Sequence, residues 1–308
     1  MKFSQRLKLV LISCTMIFSF TFGLASQSAT ANAKGPTLTY ARSATALNVN
    51  TGKVVYSKAG GTARPIASLT KLMTLYLVRE KIANGDGTWN SKVKTSNAGL
   101  KKLGKSSVFG GFKFTKNSYT VRQLYLAGLI ESSNNAAIAL GQWVAGGSTP
   151  KYNKKFISMM NTQAKQWKLK HTHFVSASGM EQNSLSPYGY NIGGANANMV
   201  SSNDMAKIAK YYVTNFDDVL TDASVKSMTV SGQTLYNYNN LLPGRKYYQA
   251  SLNVDGLKTG YTDPAGYCFV GTGQKSGHDR IVTVVLHDAN EFTETRSLMN
   301  YVYNNNLA

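Results

Sequence analysis

Three short motifs carry the chemistry of this chain: Ser68-Leu69-Thr70-Lys71, Ser132-Ser133-Asn134 and Lys258-Thr259-Gly260, in that order. A serine three residues before a lysine on a helix puts hydroxyl and amine on one face, one turn apart. A hydroxyl nucleophile needs that placement if an amine is to take its proton. The two later motifs would complete a site for attacking an acyl bond that lies beside a carboxylate. Singly each motif is weak: Ser-x-x-Lys arises by chance, Ser-x-Asn is commonly a helix cap, and Lys-Thr-Gly is ordinarily a turn. Order, wide separation and structural setting give the set its force.

Those settings can be read from local patterns. Pro65 precedes the helix of the first motif, and Leu69, Leu72, Met73, Tyr76 and Leu77 repeat at the spacing of one buried face. Asn84-Gly85-Asp86-Gly87 ends that helix with turn chemistry. Thr120-Val121-Arg122-Gln123 is a capping box for a helix through Leu129, and a second helix is expected over 135–144. The second motif falls at the break between them. Further helices are predicted over 151–168 and, capped by Ser202-Asn203-Asp204, to about Tyr212.

Strands are predicted at both ends of the chain. Residues 44–50 and 53–57 flank Thr51-Gly52 as a hairpin. Later runs at 225–230, 233–238, 253–258, 266–272 and 280–287 are short and strand-like, and the third motif is expected to close the strand 253–258. Glu291 and Glu294 open a final helix ending near Asn304. The pattern predicts an α+β fold, an antiparallel sheet flanked by helices and built from both ends of the chain. Its sheet part would lie at about 34–85 and 200–308, with a mainly helical subdomain inserted at about 86–199.

Lys2, Arg6 and Lys8, the apolar stretch Leu9 to Leu24 and the small-x-small site Ala31-Asn32-Ala33 read as a signal peptide over 1–33. The run is short for a membrane span, so cleavage before Lys34 is expected and no integral span remains afterwards. The formal charge is +20, of which about +17 stays on residues 34–308. Such a field attracts polyanions. For an exported chain these would be anionic cell-wall polymers or anionic lipid rather than nucleic acid, unless the charge serves solubility alone. Cys268 is the one cysteine left after cleavage; it lies in an apolar run, is expected to be buried, and permits no intrachain disulfide.

With these motifs in place, the chain resembles the penicillin-recognising serine D,D-peptidases, specifically the low-molecular-weight D-alanyl-D-alanine carboxypeptidases. The likeness runs through Arg64-Pro65-Ile66-Ala67-Ser68-Leu69-Thr70-Lys71, His173-Phe174, Ser178-Gly179-Met180, Leu257-Lys258-Thr259-Gly260-Tyr261-Thr262-Asp263, Gly266-Tyr267 and Glu291-Phe292-Thr293-Glu294-Thr295. The resemblance implies a β-lactamase/D,D-peptidase-like fold and an exported or wall-associated enzyme. It would trim the terminal D-alanine from peptidoglycan stem pentapeptides and be acylated by β-lactams at Ser68.

In that reading Ser68 is the nucleophile and Lys71 its base, made less basic by apolar neighbours and Lys258. Ser132 relays a proton to the leaving amine, and Asn134 binds the substrate backbone and steadies Lys71. Lys258 and Thr259 hold the terminal carboxylate, Gly260 admits close approach, and the N–H groups of Ser68 and Tyr261 form the oxyanion hole. Asn135 stands where the family often has Asp, and Ser178-Gly179-Met180 where it often has His-Gly-Leu. Both departures bear on substrate fit.

No cofactor is implied. His171 and His173 lack a ligand cluster, so no metal site is expected and one imidazole should be packed, the other exposed. Tyr236, Tyr238, Tyr247 and Tyr248 suit strand packing, with stacking on wall sugars as the alternative. Lys92, Lys94, Lys101, Lys102 and Lys105 read as a solvated face. Two rival functions share the motifs. A class A-like β-lactamase needs a carboxylate for deacylation, for which Glu181 is the candidate, in surroundings unlike the usual Glu-x-x-Leu-Asn. A non-catalytic basic wall- or penicillin-binding protein would keep the fold alone.

Overall fold

The computed structural model describes residues 35–106 and 111–308. The predicted leader at 1–33 lies outside them. Five strands build the main sheet: β1 (Ser43–Asn48), β2 (Val54–Lys58), β3 (Val254–Thr262), β4 (Gly266–Gly273) and β5 (Ile281–Asp288). Their order is β3-β4-β5-β1-β2, with every neighbouring pair antiparallel. The N-terminal hairpin joins the C-terminal meander through β1 and β5, in register from Ser43 opposite Leu286 to Asn48 opposite Ile281. The fold is thus α+β, with a sheet made from both ends of the chain.

Strand β1 is buried along its whole length because both faces of the sheet are covered. Ala44 and Ala46 pack with Phe269, Val285, Leu298 and Val302 beneath the C-terminal helix, Glu291–Asn304. Leu47 belongs to the larger core on the other face. There Thr45 Oγ1 lies 2.8 Å from both Ser202 Oγ and Asn203 Oδ1, tying the sheet to the helix Ser202–Asn215. That helix is capped one residue earlier than expected: Ser201 accepts from the Asp204 N–H, and Ser202 is drawn into the core instead.

The central helix, α1 (Lys71–Ala83), follows a tight turn at Ala67–Thr70. A single buried stripe was expected; instead every residue from Lys71 to Val78 is buried. These first two turns are enclosed on all sides, and the helix meets solvent only from Arg79 onward. Around it pack α2 (Val121–Leu129), α3 (Asn134–Val144), α4 (Pro150–Gln166) and α5 (Ser202–Asn215). The expected capping box opens α2, with Thr120 accepting from Gln123 N–H and Gln123 Oε1 accepting from Thr120 N–H.

Two further expectations are corrected. The third motif lies inside β3 rather than at its end, because pairing with β4 continues to Thr262 opposite Gly266. His171 and His173 are both exposed, since Thr172–His173 is a two-residue strand at the edge of a small sheet. Tyr236, Tyr238 and Tyr248 are exposed as well, whereas Tyr247 stacks on Phe292.

Candidate active site

Ser68 is the second residue of the turn before α1, and Ala67 next to it has φ +45°. Lys71, the first residue of α1, is fully buried. Its Nζ lies 2.8 Å from Ser68 Oγ, 2.7 Å from Asn134 Oδ1 and 2.6 Å from the Ser178 carbonyl oxygen. The amide oxygen and the carbonyl can only accept, so they claim two N–H bonds of the lysine. The remaining position faces Ser68. A protonated amine donates there; a neutral one accepts the serine O–H. Burial, and after it the charge of Lys258, holds the Lys71 pKa well below the ordinary lysine value.

The second motif arises where α2 stops. Ser132 adopts φ +64°, Ser133 caps α3 by accepting from Ala136 N–H, and Asn134 begins α3 facing Lys71. Ser132 Oγ is buried and makes no hydrogen bond among the described residues. It borders the cleft but not the bond set of Lys71. Asn135 uses both ends of its amide: Nδ2 donates to the Phe112 carbonyl at 2.7 Å and Oδ1 accepts from Ser133 Oγ at 2.5 Å. A carboxylate has no donor for Phe112, which accounts for an amide here.

Strand β3 brings the third motif against the turn that carries Ser68. A Cβ at Gly260 would lie 3.1 Å from the Ile66 carbonyl oxygen and from Ser68 N, so only a residue without one fits easily. Lys258 is 3% exposed, with Nζ donating to its neighbour's carbonyl, Thr259 O, at 3.1 Å. Burial lowers its pKa to about 7. Tyr261 is exposed, its hydroxyl donating to Asp263 Oδ1 and its ring 4.6 Å from that of Tyr267.

A cleft of about 830 Å³ opens over these groups. Ser68, Ser132, Asn134, Thr259, Gly260 and Tyr261 line it, while Lys71 and Lys258 stand buried behind the lining. The structure therefore gathers all eight candidates in one place, in two layers. Among the described residues no three His, Cys, Asp or Glu side chains are placed to hold a metal ion. Cys268 is buried in β4, its thiol pushed up to about 12 by that burial.

The third acceptor around Lys71 has no side-chain signature, because Ser178 acts through its carbonyl. A network under α1 fixes it. Thr74 Oγ1 donates to the Ala177 carbonyl at 2.7 Å, and Asn198 Nδ2 donates to Thr70 Oγ1 and to the Ser176 carbonyl. Asn198 Oδ1 accepts from the N–H groups of Val175 and Ser176. Gly179 follows with φ +94°, pressed against the backbone of Ala67 and Ser68. Of this network only Thr70, Ser178 and Gly179 were marked in the sequence, through the resemblance and with no role attached.

A buried amine bonded to a serine hydroxyl, walled by an amide and a sheet edge, defines an active-site serine protein of the penicillin-recognising fold. The family model described as D-alanyl-D-alanine carboxypeptidase matches residues 29–290, and the chain belongs to that family. It is 28% identical over 281 residues to the D-alanyl-D-alanine carboxypeptidase DacD of Escherichia coli, covering 91% of this chain and 66% of that relative's length. The crystal structure of a peptidoglycan synthesis regulatory factor (PBP3) from Streptococcus pneumoniae superposes with a TM-score of 0.78 at 34% identity, over 86% of this chain and 79% of that one. Penicillin-binding protein D2 of Listeria monocytogenes, solved in an ampicillin-bound form, gives 0.68 at 31% identity over 85% and 97%.

Proposed function

We propose that this chain is an exported serine D-alanyl-D-alanine carboxypeptidase that removes the terminal D-alanine of peptidoglycan stem pentapeptides through an acyl-enzyme on Ser68. The observation that carries this reading is the 2.8 Å contact between Lys71 Nζ and Ser68 Oγ, with the amine's other partners both acceptors. In its neutral form Lys71 takes the Ser68 proton as Oγ bonds to the scissile carbonyl carbon. The carbon–nitrogen bond then breaks, and the proton passes by way of Ser132 to the departing amine. Ser132 Oγ, buried with no hydrogen bond among the described residues, suits a relay that makes its bonds only with substrate. Water then cleaves the ester and restores Ser68.

Thr259 lines the cleft and Lys258 lends positive charge from behind it, which suits a substrate ending in a carboxylate. The packing of Gly260 on Ser68 supports an oxyanion hole from the N–H groups of Ser68 and Tyr261. One such donor contributes roughly 3 kcal/mol to the transition state. A β-lactam is a strained amide beside a carboxylate and would acylate the same serine. The proposed action on peptidoglycan, the expected leader at 1–33 and the charge of about +17 on residues 34–308 together support a place outside the cell membrane, at the wall.

The test is direct. The protein is mixed with a D-Ala-D-Ala pentapeptide, with labelled penicillin and with a chromogenic β-lactam. Release of D-alanine with stoichiometric, slowly lost label, both abolished by Ser68→Ala, is the expected result. Rapid lactam turnover would make it a β-lactamase, and inertness a binding protein. Recovery of a secreted form beginning at Lys34 tests export.

A further inference from the structure

The positive charge of this chain is unevenly spread. Residues 86–199, which fall in sequence between the two parts of the main sheet, hold 14 Lys and Arg against 3 Asp and Glu. Residues 34–85 and 200–308 together hold 17 against 11. From Gly87 to Ile130 there are eight basic residues and no acidic one. Solubility asks for less, since mixed signs and a net charge of about 2–8 on a small domain supply it. Like charges gathered in one segment repel each other, so the fold itself gains nothing from the gathering.

Folding brings five of these lysines into one cluster. Lys92 and Lys94 lie on a short strand paired with Ser118–Thr120. Both are exposed and Val93 between them is buried, so the two ammonium groups share the outer side. Thr95, the next residue, donates through Oγ1 to the Lys116 carbonyl oxygen at 3.0 Å, and Lys101 Nζ donates to Asn117 Oδ1 at 2.9 Å. Lys105 closes the helix Ala98–Gly104 four residues after Lys101, one turn along the same side. Among the described residues none of the five takes part in an ion pair. The cluster stands outside the cleft, which no lysine or arginine lines. Yet Phe112, between Lys105 and Lys116 in the chain, accepts from Asn135 beside the second motif.

We infer that this lysine cluster is a docking surface for a linear wall polymer that carries phosphodiester groups along its backbone. Lysine suits such a partner, because a compact ammonium meets a phosphate in any orientation, without the planar match a guanidinium makes. Of the 14 basic residues in 86–199, 13 are lysines. A lipid surface is the poorer fit. Attachment to lipid draws on buried apolar side chains as well as charge. Among the described residues the exposed large apolar side chains are all tyrosines, and none of them lies within 86–199. The inference rests on the proposed place at the wall and not on catalysis.

Binding of a fluorescent poly(glycerol phosphate) chain decides it, with phosphatidylglycerol vesicles as the second probe. The polymer should bind at low salt and be released as ionic strength rises past about 0.15 M. Lys92→Gln, Lys94→Gln, Lys105→Gln and Lys116→Gln together should weaken binding about tenfold or more, through the loss of four exposed charge contacts. The thermal melt should not change, and Lys92→Gln with Lys94→Gln alone should give an intermediate loss. Removing as many charges elsewhere, by Lys53→Gln, Lys210→Gln, Lys246→Gln and Lys275→Gln, should leave most of the binding in place. Absence of binding by the unmodified protein would overturn the inference. So would an equal loss in both fourfold variants, which makes the charge a general field. Tighter binding to the vesicles than to the polymer at equal phosphate would assign the cluster to lipid and overturn it too. Release of D-alanine, measured separately, should survive in every variant; its absence throughout would sink the carboxypeptidase reading and leave this one standing.

Discussion

Lys71 and Lys258 are both buried at one site, and the charge of Lys258 is the second cause, after burial, of the lowered Lys71 pKa. In the proposed mechanism acylation needs Lys71 neutral, so the rate should fall as pH drops through that pKa. Removing the neighbouring charge with Lys258→Met raises the Lys71 pKa, and the acid limb of the acylation profile should move to higher pH. Lys71→Arg keeps the charge at every accessible pH and should slow labelled-penicillin capture by about 10³-fold or more. Stopped-flow acylation from pH 5 to 9 checks both.

Lys258 also ties stability to pH. Its folded pKa is about 7, against about 10.4 for an unfolded lysine. Between these values the unfolded chain binds the extra proton, so stability contributed by this group rises with pH. It is complete above the unfolded value and lost as pH falls toward 7. Urea unfolding between pH 7 and 9 should show a positive slope that flattens in Lys258→Met.

Gly179 is held by contact as well as by conformation. A Cβ on it would sit 1.9 Å from the Ala67 carbonyl oxygen, at φ +94°. Gly189 has a comparable φ of +78° but nothing within 4 Å. Gly189→Ala should therefore cost about 1–2 kcal/mol, for the backbone alone. Gly179→Ala should cost about 3 kcal/mol or more and also shift the Ser178 carbonyl away from Lys71. Thermal melts and acylation rates of the two variants separate the effects.

Asn135→Asp should be tolerated poorly despite its similar shape. The Phe112 carbonyl loses its donor and meets a carboxylate instead, in a fully buried place. The expected loss is about 1–3 kcal/mol, read by chemical denaturation. Because burial favours the protonated acid, the loss should be smaller at pH 4 than at pH 7.

What could be read from the residues was local. The capping box at Thr120–Gln123, the helical-turn spacing of Ser68 and Lys71, the Thr51-Gly52 hairpin and the acidic start at Glu291 involve groups three or four positions apart. Interactions at that range are decided by the chain's own geometry, and they appear in the structure where expected. The grouping of three distant motifs was legible only through their resemblance to a family.

Other features had no mark in the residue string. The Ser178 carbonyl reaches Lys71 across 107 positions, and any residue type could supply it. Asn198 holds that loop to Thr70 across 128, looking in sequence like any other asparagine. The Ser-to-Lys spacing and the order of the motifs, which the sequence alone determined, name the groups proposed to react. Tertiary structure alone decided that the first two turns of α1 are enclosed on every side and that Lys258 stands behind the cleft wall. The reason is that burial, and the partners available to a backbone carbonyl, depend on which remote segments pack around them.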